Sequence, residues 1–509
     1  MNGCYLRIEG VNLGAVFDDS QQVSVIRGAS FLLRQAARSL PEGLKDKDSR
    51  FILPPISSVA SVGLYACDTD NPDALLVAVR RLLREREPYQ HFTFVADTVA
   101  KSGDFPADLE NLIAANRWQQ MSLPSLSLVG LDAERKEPCS WNGIRPADDH
   151  SIKRDDKQLP ISASVASRFD AGRTLRQTFY ATEARDDTFE TYRFTDDLNE
   201  LAKRNDSETL ANKIAVIYLD GNRFGTLQRD LCTKPDIQAE FDKYVQDCRS
   251  TYLANFLRHA HVSADYLTSD GRLRLEVLMW GGDELLLVVP AWCGLDALTF
   301  FFDASRNWKF KDKPLTHAGG LVFANRKTPL SRLRDLAKSL AEGFKDQLRP
   351  GALHNGFDYI VLESIDYPTQ PLHRFREQVF GAALATTHVP LKPMPRDAGG
   401  DVTALHTLPK GQCYALVRAV VKDGGIGRCA IDARDRLELV AGEDGASGAR
   451  GKDLVDKTVD AARRLFVSPW GLERPITDAW LWLHMVDLWD YLPPSAQDVA
   501  PSEQQETRP

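Results

Sequence analysis

The 509-residue sequence lacks both a paired-cysteine framework and long apolar segments. Its eight cysteines are scattered between positions 4 and 429, and no two of them form a CxxC pair. This spacing excludes a disulfide scaffold and a zinc knuckle. Apolar runs such as residues 285–291 are far shorter than the roughly 20 residues that a membrane span needs, and the N-terminus lacks the pattern of a secretory signal. We therefore expect a cytoplasmic protein with reduced cysteines and no membrane partner.

The chain also has fewer basic residues than acidic residues. The chain has 63 Lys and Arg residues against 71 Asp and Glu residues, which gives a formal net charge of −8. This balance excludes a protein that coats nucleic acid through a broadly basic surface. Hydrophobic residues make up 43% of the chain and charged residues 26%, a composition typical of globular proteins. At roughly 150 residues per domain, the length predicts about three domains.

The alternation of strand and helix patterns predicts an α+β fold in two units, followed by a helical region. Residues 1–103 and residues 211–368 each alternate between short apolar or β-branched runs and longer segments with apolar residues at helical spacing. Between them, residues 104–210 are predicted to form an irregular insertion, because part of this region is rich in charge, Pro and Gly. Residues 369–493 are predicted to be helical and residues 494–509 to be a disordered tail.

Two acidic turns in the second unit are the strongest candidates for a functional site. Asp220 ends an apolar strand, and Gly281, Gly282, Asp283 and Glu284 lie between two others. Carboxylates on adjacent strand ends could hold one or two Mg²⁺ ions, and paired glycines let a phosphate approach the backbone closely. Asp-Gly and Gly-Gly-Asp are also common turns without function. The occurrence of both turns at the ends of apolar strands favours the metal site, since clustered carboxylates repel one another without a cation.

Residues 213–365 resemble the catalytic palm of the nucleotidyl-cyclase and polymerase superfamily. This superfamily includes GGDEF diguanylate cyclases and the large subunit of type III CRISPR effector complexes. The closer resemblance is to the second palm of the CRISPR subunit, through YLDGNRFG, MWGGDELLLVVP and LTHAGGLVFANRKTPLSRLRDLAKSLAEGFKD. The first unit resembles the first palm of that subunit through RIEGVNLGAVFDDSQQVSVIRGASFLL. The resemblance implies two ferredoxin-like palm domains, the first non-catalytic and the second catalytic, plus a C-terminal α-helical domain.

The sequence departs from the family pattern at several positions. The turn carries Glu284 where the CRISPR subunit has a second aspartate, so it reads as in diguanylate cyclases. The segment that often holds a CxxCG zinc site has Cys139 but Asn142 in place of the second cysteine, and we expect no zinc. The first unit has Glu9 near a strand end but no Gly-Gly-Asp turn, which favours a non-catalytic palm. The palm pattern starts at residue 5, so we expect no HD nuclease domain ahead of it.

The resemblance also assigns roles to individual residues. Mg²⁺ or Mn²⁺ ions of a two-metal site would be held by the catalytic residues Asp220, Asp283 and Glu284. The nucleotide would be bound by Gly281, Gly282, Asn222, Arg223 and Lys345. For Lys345 an ordinary solvated helix face is an equal alternative. Phe224, in the same stretch as Asn222, is better interpreted as a core residue.

The function implied by the resemblance is a metal-dependent nucleotidyltransferase. Attack of a ribose hydroxyl on an α-phosphate would convert nucleoside triphosphates, with ATP favoured, into a cyclic di- or oligonucleotide signal of prokaryotic antiviral defence. The resemblance suggests that the two palms pair within the chain, and the sequence leaves pairing between chains open as the alternative.

The alternative is a catalytically weak nucleotide- or RNA-binding scaffold in a CRISPR-like complex, with other protein subunits as partners. Base stacking by tryptophans of the helical region would fit it, although core packing explains them better. These tryptophans are Trp470, Trp480, Trp482 and Trp489.

Overall fold

The computed structural model describes most of the chain. The described residues are 3–47, 50–124, 137–154, 156–204, 209–363, 367–442, 448–467 and 476–492. The predicted tail at 494–509 and Trp470 lie outside them. The architecture is α+β, with two sheet domains followed by a helical region.

The first palm, residues 4–122, is a four-stranded antiparallel sheet with helices on both faces. Its elements are β1 (Cys4–Val11), α1 (Gly14–Phe17), α2 (Val23–Lys47), β2 (Pro55–Val59), β3 (Val62–Cys67), α3 (Pro72–Glu85), β4 (Thr93–Ala100) and α4 (Phe105–Ser122). The strand order β2-β3-β1-β4 is that of a ferredoxin-like fold. Leu6 and Ile8 face α2 and α3, whereas Tyr5 packs under Phe105 of α4. Successive side chains of β1 therefore point alternately into two apolar cores, one on each face of the sheet.

The expectation of an irregular insertion at 104–210 is wrong for its described part. Besides α4, this region contains β5 (His150–Arg154), β6 (Lys157–Ile161), α5 (Ala163–Ala184) and α6 (Leu198–Leu201). Because α4 packs on the first sheet, the first palm extends beyond residue 103. The helical pattern of α5 is hidden because it buries Arg168 and Arg176 among its apolar residues, so no single apolar stripe is visible.

The second palm, residues 213–361, repeats the topology of the first. Its elements are β7 (Lys213–Gly221), α7 (Phe224–Leu231), α8 (Pro235–Val262), β8 (Glu276–Gly281), β9 (Glu284–Pro290), α9 (Gly294–Ser305), β10 (Lys309–Phe310), β11 (Lys313–Pro314), β12 (His317–Asn325), α10 (Leu330–Asp346) and β13 (Gly356–Val361). The sheet order is β13-β12-β7-β9-β8, and only β12 and β13 are parallel neighbours. Helices α8 and α9 cover one face and α10 covers the other. Strand β7 is therefore apolar on both sides.

A buried ionic cluster connects the two palms. Arg27 of α2 forms an ion pair with Glu276 of β8, and both side chains are almost fully buried. Arg176 of α5 reaches the other oxygen of Glu276 at 3.1 Å. Close contact between α2 and α5 requires glycine, because a Cβ on Gly28 would lie 1.8 Å from the carbonyl oxygen of Arg168. The Arg-Gly-Ala-Ser stretch of the first palm thus lies at this junction.

The C-terminal region is helical and packs on the second palm. Its helices are α11 (Leu372–Phe380), α12 (Ala382–Ala385), α13 (Gly399–His406), α14 (Lys410–Asp423), α15 (Arg428–Ala441), α16 (Gly448–Phe466) and α17 (Asp478–Asp487). Trp480, Trp482 and Trp489 are all buried, which confirms the core-packing interpretation for these three. Arg376 of α11 binds the buried Asp358 of β13 at 2.8 Å and ties the region to the sheet. Among the described residues, no helix is long and apolar enough to cross a membrane.

Replacing Arg27 by methionine should destabilise the protein strongly. The change removes one of two cations from the buried Glu276 carboxylate, and breaking a buried pair in this way costs about 3 kcal/mol. Urea denaturation should report this loss. The control is Arg81→Met, which breaks an exposed pair with Glu85 and should cost less than about 0.5 kcal/mol. Equal losses for the two variants would contradict the role of the cluster.

Candidate active site at the edge of the second palm

Three carboxylates meet where β7 ends beside the β8–β9 hairpin. Leu219 of β7 pairs with Leu285 of β9, so the next residue, Asp220, lies beside Glu284. Asp283 lies in the hairpin turn, directly after Gly282, whose φ of 46° is positive. This geometry follows from the local sequence, because the apolar runs of β8 and β9 end on either side of the turn. The structure therefore brings together the three residues predicted to be catalytic.

Two neighbours hold these carboxylates in place. The Nζ atom of Lys345, on α10, lies 2.6 Å from Oδ2 of Asp220 and donates a hydrogen bond to the carbonyl oxygen of Gly221 at 3.0 Å. The hydroxyl group of Tyr218 donates to Oε1 of Glu284 at 2.8 Å. Lys345 thus contacts one of the three carboxylates, and its predicted role in binding phosphate stays a prediction.

Asp283 carries the least compensated charge of the three. Burial, followed by the charges of Asp220 and Glu284, raises the pKa of its carboxyl to about 6, whereas Lys345 lowers it. No ion pair to Asp283 is formed by the described residues. At neutral pH the carboxylate is ionised against this unfavourable field, so a cation at the site would be bound favourably.

The chemistry of the donor set fits Mg²⁺ or Mn²⁺. Carboxylate oxygens are the ligands that these hard cations take in proteins. Within the described part of the chain, no group of three or more His, Cys, Asp or Glu side chains, including these carboxylates, is arranged so that it could hold a metal ion by itself. Mg²⁺ commonly uses one or two carboxylates together with substrate phosphates, so Asp220, Asp283 and Glu284 suit an ion that arrives with a nucleotide.

The residues after Asp220 have structural roles in the turn from β7 to α7. Asn222 is buried, and its Nδ2 atom donates to Oγ1 of Thr316 and to the carbonyl oxygen of His354. Arg223 adopts a left-handed conformation with φ of 58° and exposes its side chain. Phe224 is buried, as predicted, in the cluster around α7 and α8. Neither Asn222 nor Arg223 contacts the three carboxylates in a hydrogen bond or ion pair among the described residues.

The paired glycines place the hairpin against the first palm. A Cβ on Gly281 would lie 2.5 Å from the Cβ of Ala60, in the β2–β3 turn, and a Cβ on Gly282 would lie 3.3 Å from a methyl group of Val59. These glycines therefore have a packing role besides the phosphate contact predicted for them. The two palms are in direct contact at the candidate site.

The residues that line the space beside Asp283 carry no motif that is visible in the sequence. A cavity of about 300 Å³ extends from this carboxylate between the palms. Its walls include Phe224 and Phe241, and its polar groups include Gln238, Asp242 and Arg249 of α8. Burial raises the pKa of Asp242 to about 6. Polar residues within the buried face of a long helix are the signal that could have identified this wall.

In the first palm, the position equivalent to Asp220 is occupied by Glu9, and its negative charge is compensated by neighbouring arginines. Glu9 of β1 binds Arg7 at 2.7 Å and Arg117 of α4 at 3.0 Å. Two guanidinium groups therefore neutralise the carboxylate that corresponds by topology to Asp220. In the segment considered for zinc, Cys139 is buried, and Asn142 donates a hydrogen bond to Asp19 at 3.1 Å.

Replacing Asp283 by asparagine should stabilise the metal-free protein at neutral pH. The pKa of Asp283 is raised from 3.8 to about 6 in the folded state, so ionisation destabilises folding fully above pH 6, by up to about 3 kcal/mol. This cost declines as the pH falls from about 6 towards 4, where the carboxyl is protonated in the folded state. Urea denaturation in EDTA should show a wild-type deficit at pH 7.5 that disappears by about pH 4. Asp312→Asn, at a side chain 96% exposed, is the control without such a deficit; a pH-independent difference for Asp283→Asn would contradict the assignment.

Comparison with known proteins adds a fold relationship. No protein-family model and no curated protein sequence matches the chain. Csm1 from T. onnurineus is similar in structure, with a TM-score of 0.52, 11% sequence identity, and coverage of 96% of this chain and 69% of that chain. A Csm1–Csm4 cassette without ligand and one in complex with cA4 give TM-scores of 0.51 and 0.50, each at 11% identity with coverage of 96% of this chain and 70% of that chain. The chain therefore has the fold of Csm1, the large subunit of type III CRISPR effector complexes.

Proposed function

We propose that the second palm is a metal-dependent nucleotidyltransferase. It would convert nucleoside triphosphates, with ATP favoured, into a cyclic di- or oligonucleotide that acts as a signal in prokaryotic antiviral defence. The observation that carries this proposal is the placement of Asp220, Asp283 and Glu284 on adjacent strand ends, with Asp283 partly buried and without an ion-pair partner among the described residues. A carboxylate that is ionised beside other carboxylates destabilises the folded protein, and such groups are concentrated at functional sites.

The three carboxylates would hold Mg²⁺ or Mn²⁺ together with the phosphates of the substrate. When bound, these ions stabilise the attacking and leaving oxygens of phosphoryl transfer. The protein itself orients the carboxylates: Lys345 fixes Asp220 and Tyr218 fixes Glu284. The ammonium group of Lys345 also lies where it would attract the phosphate chain of a nucleotide.

The cavity beside Asp283 supplies a site for the nucleoside part. Aromatic and aliphatic side chains form much of its wall, while Gln228 and Gln238 offer amide donors and acceptors. A flat base with polar edges suits such a lining. Because Asp283 lines this cavity, a nucleotide whose nucleoside part is bound here would have its phosphates next to the three carboxylates. A Csm1–Csm4 cassette bound to cA4 supports adenine nucleotides as the substrate class and CRISPR-like subunits as partners.

A scaffold that binds nucleotide or RNA without turnover is the second candidate. It is favoured by the ion pair between Lys345 and Asp220, which already neutralises one of the carboxylates. In this case the protein would bind nucleotide in the cavity and assemble with other subunits without releasing pyrophosphate. Stable RNA or a partner chain in the purified complex, with no pyrophosphate released, would establish this candidate.

Replacing Asp283 by alanine should abolish turnover. Purified protein with ATP and Mg²⁺ or Mn²⁺ should release pyrophosphate, and loss of the hairpin carboxylate should lower the rate by at least about 100-fold, because it removes electrostatic stabilisation of the transition state. The matched control is Asp312→Ala, which removes an exposed aspartate and should leave the rate unchanged. Undiminished pyrophosphate release by Asp283→Ala would contradict the catalytic assignment. If the wild type binds nucleotide but releases no pyrophosphate, the scaffold function is favoured.

A further inference from the structure

The turn that carries Asp283 contains two adjacent glycines and therefore has little rigidity of its own. Gly281 and Gly282 lack a Cβ, so many backbone conformations are open to them, and Gly282 has a φ of 46°. The turn directly precedes Asp283, whose carboxylate lies beside Asp220 and Glu284 only in one arrangement of this backbone. Contacts from outside the hairpin are therefore needed to hold the turn in that arrangement.

Arg249 of α8 makes two such contacts with a single guanidinium group. Its Nη1 atom donates a hydrogen bond to the carbonyl oxygen of Gly282 at 2.7 Å. The same group lies over the ring of Trp280, with 4.6 Å between its Cζ atom and the ring centroid, which makes a cation–π contact. Arg249 thus holds the residues on both sides of Gly281.

The hydrogen bond to Gly282 acts directly on the orientation of Asp283. The carbonyl group of Gly282 and the N–H group of Asp283 belong to the same planar peptide unit. Fixing the carbonyl oxygen therefore fixes the plane that also contains the Cα atom of Asp283. The carboxylate side chain leaves the backbone at this Cα atom, so a rotation of the plane would move it away from the other two carboxylates.

Trp280, the second group that Arg249 holds, is also anchored to the first palm. Its Nε1 atom donates a hydrogen bond to Oε2 of Glu183, in α5, at 3.0 Å. Glu183 in turn forms ion pairs with Arg34 and Arg38 of α2. These five residues also line a second cavity between the palms, of about 430 Å³. The contacts that hold the turn therefore extend from α8 to the first palm.

The environment of Arg249 is unfavourable for stability. The residue is only 6% exposed, and no carboxylate of the described residues forms an ion pair with it. Its Nε and Nη2 atoms are buried and have no hydrogen-bond partner in the described part of the chain, and buried donors without a partner destabilise a fold. Burial lowers the pKa of the guanidinium to about 9, whereas the charge of Asp283 raises it. An apolar side chain of similar length would be at least as stable here, which indicates that Arg249 has another role.

We propose that Arg249 is a positioning residue for Asp283. It holds the Trp280–Gly282 segment so that the carboxylate of Asp283 stays beside Asp220 and Glu284, and it acts through the hairpin rather than by contact with the reacting atoms. Its consequence for catalysis rests on the proposed function of the site, because a displaced carboxylate would bind the cation of the substrate less well. Its effect on the hairpin backbone does not depend on that function.

Hydrogen–deuterium exchange of the full chain in EDTA tests the position of the hairpin without turnover. Arg249→Met keeps a side chain of similar length but removes both contacts, so amide exchange in residues 280–284 should become at least about tenfold faster. Strand β7 should exchange as before, because its pairing with β9 and β12 remains. The matched control is Arg258→Met, which removes an arginine of α8 that pairs with Asp186 and should not affect the hairpin.

Kinetics and stability separate a positioning role from a purely structural one. In Arg249→Met, kcat for pyrophosphate release from ATP should fall at least about tenfold because the carboxylate is misplaced. The KM for ATP should change less than about threefold, since the nucleoside cavity remains. Arg249→Lys keeps the positive charge and an N–H donor, so it should recover part of the rate. Urea denaturation should show Arg249→Met to be at least as stable as the wild type.

Three results would overturn the positioning role of Arg249. The first is a hairpin that exchanges in Arg249→Met as it does in the wild type. The second is faster exchange throughout the second palm together with lower stability. The third is pyrophosphate release by Arg249→Met at the wild-type rate while Asp283→Ala is inactive. A wild type that releases no pyrophosphate, but whose hairpin exchanges faster in Arg249→Met alone, would contradict the proposed function and support the positioning of Asp283 by Arg249.

Discussion

The buried ion pair between Arg27 and Glu276 is the interaction on which the relation of the two palms depends. Its charges are removed from water, so they must remain paired, and Arg176 brings α5 into the same cluster. Glu276 begins the strand that leads into the Gly281–Glu284 turn. A contact between Glu276 and a residue distant in sequence, Arg27, therefore sets where the hairpin meets the β2–β3 turn. Both cavities between the palms are consequences of this arrangement.

The candidate active site concentrates electrostatic cost at one sheet edge. Asp283 is ionised against burial and against two neighbouring carboxylates, while Lys345 relieves only part of the repulsion by pairing with Asp220. Stability alone would favour neutral side chains here. The stable sheet and the helices on both of its faces tolerate this cost, as is common where a protein binds cations or phosphates.

The two palms show how one topology can have two charge balances. In the first palm, Arg7 and Arg117 surround Glu9 and leave no negative charge to attract a cation. In the second, Lys345 pairs with Asp220, and neither Asp283 nor Glu284 forms an ion pair among the described residues. The helices α4 and α10 occupy equivalent places after the last common strand, and each supplies the basic residue. This correspondence supports a duplicated unit of which only the second half kept an acidic edge.

The sequence by itself determined the features that depend on local pattern. Acidic turns at the ends of apolar strands located Asp220 and the Gly281–Glu284 hairpin, and the apolar character of Phe224 and three tryptophans indicated the core. Only the tertiary structure decided what lies around them. Helices α4 and α5 were not predictable because polar side chains such as Arg168 occupy their buried positions. Arg249 could not be distinguished from other helix arginines, since its burial results from contacts between segments that are distant along the chain.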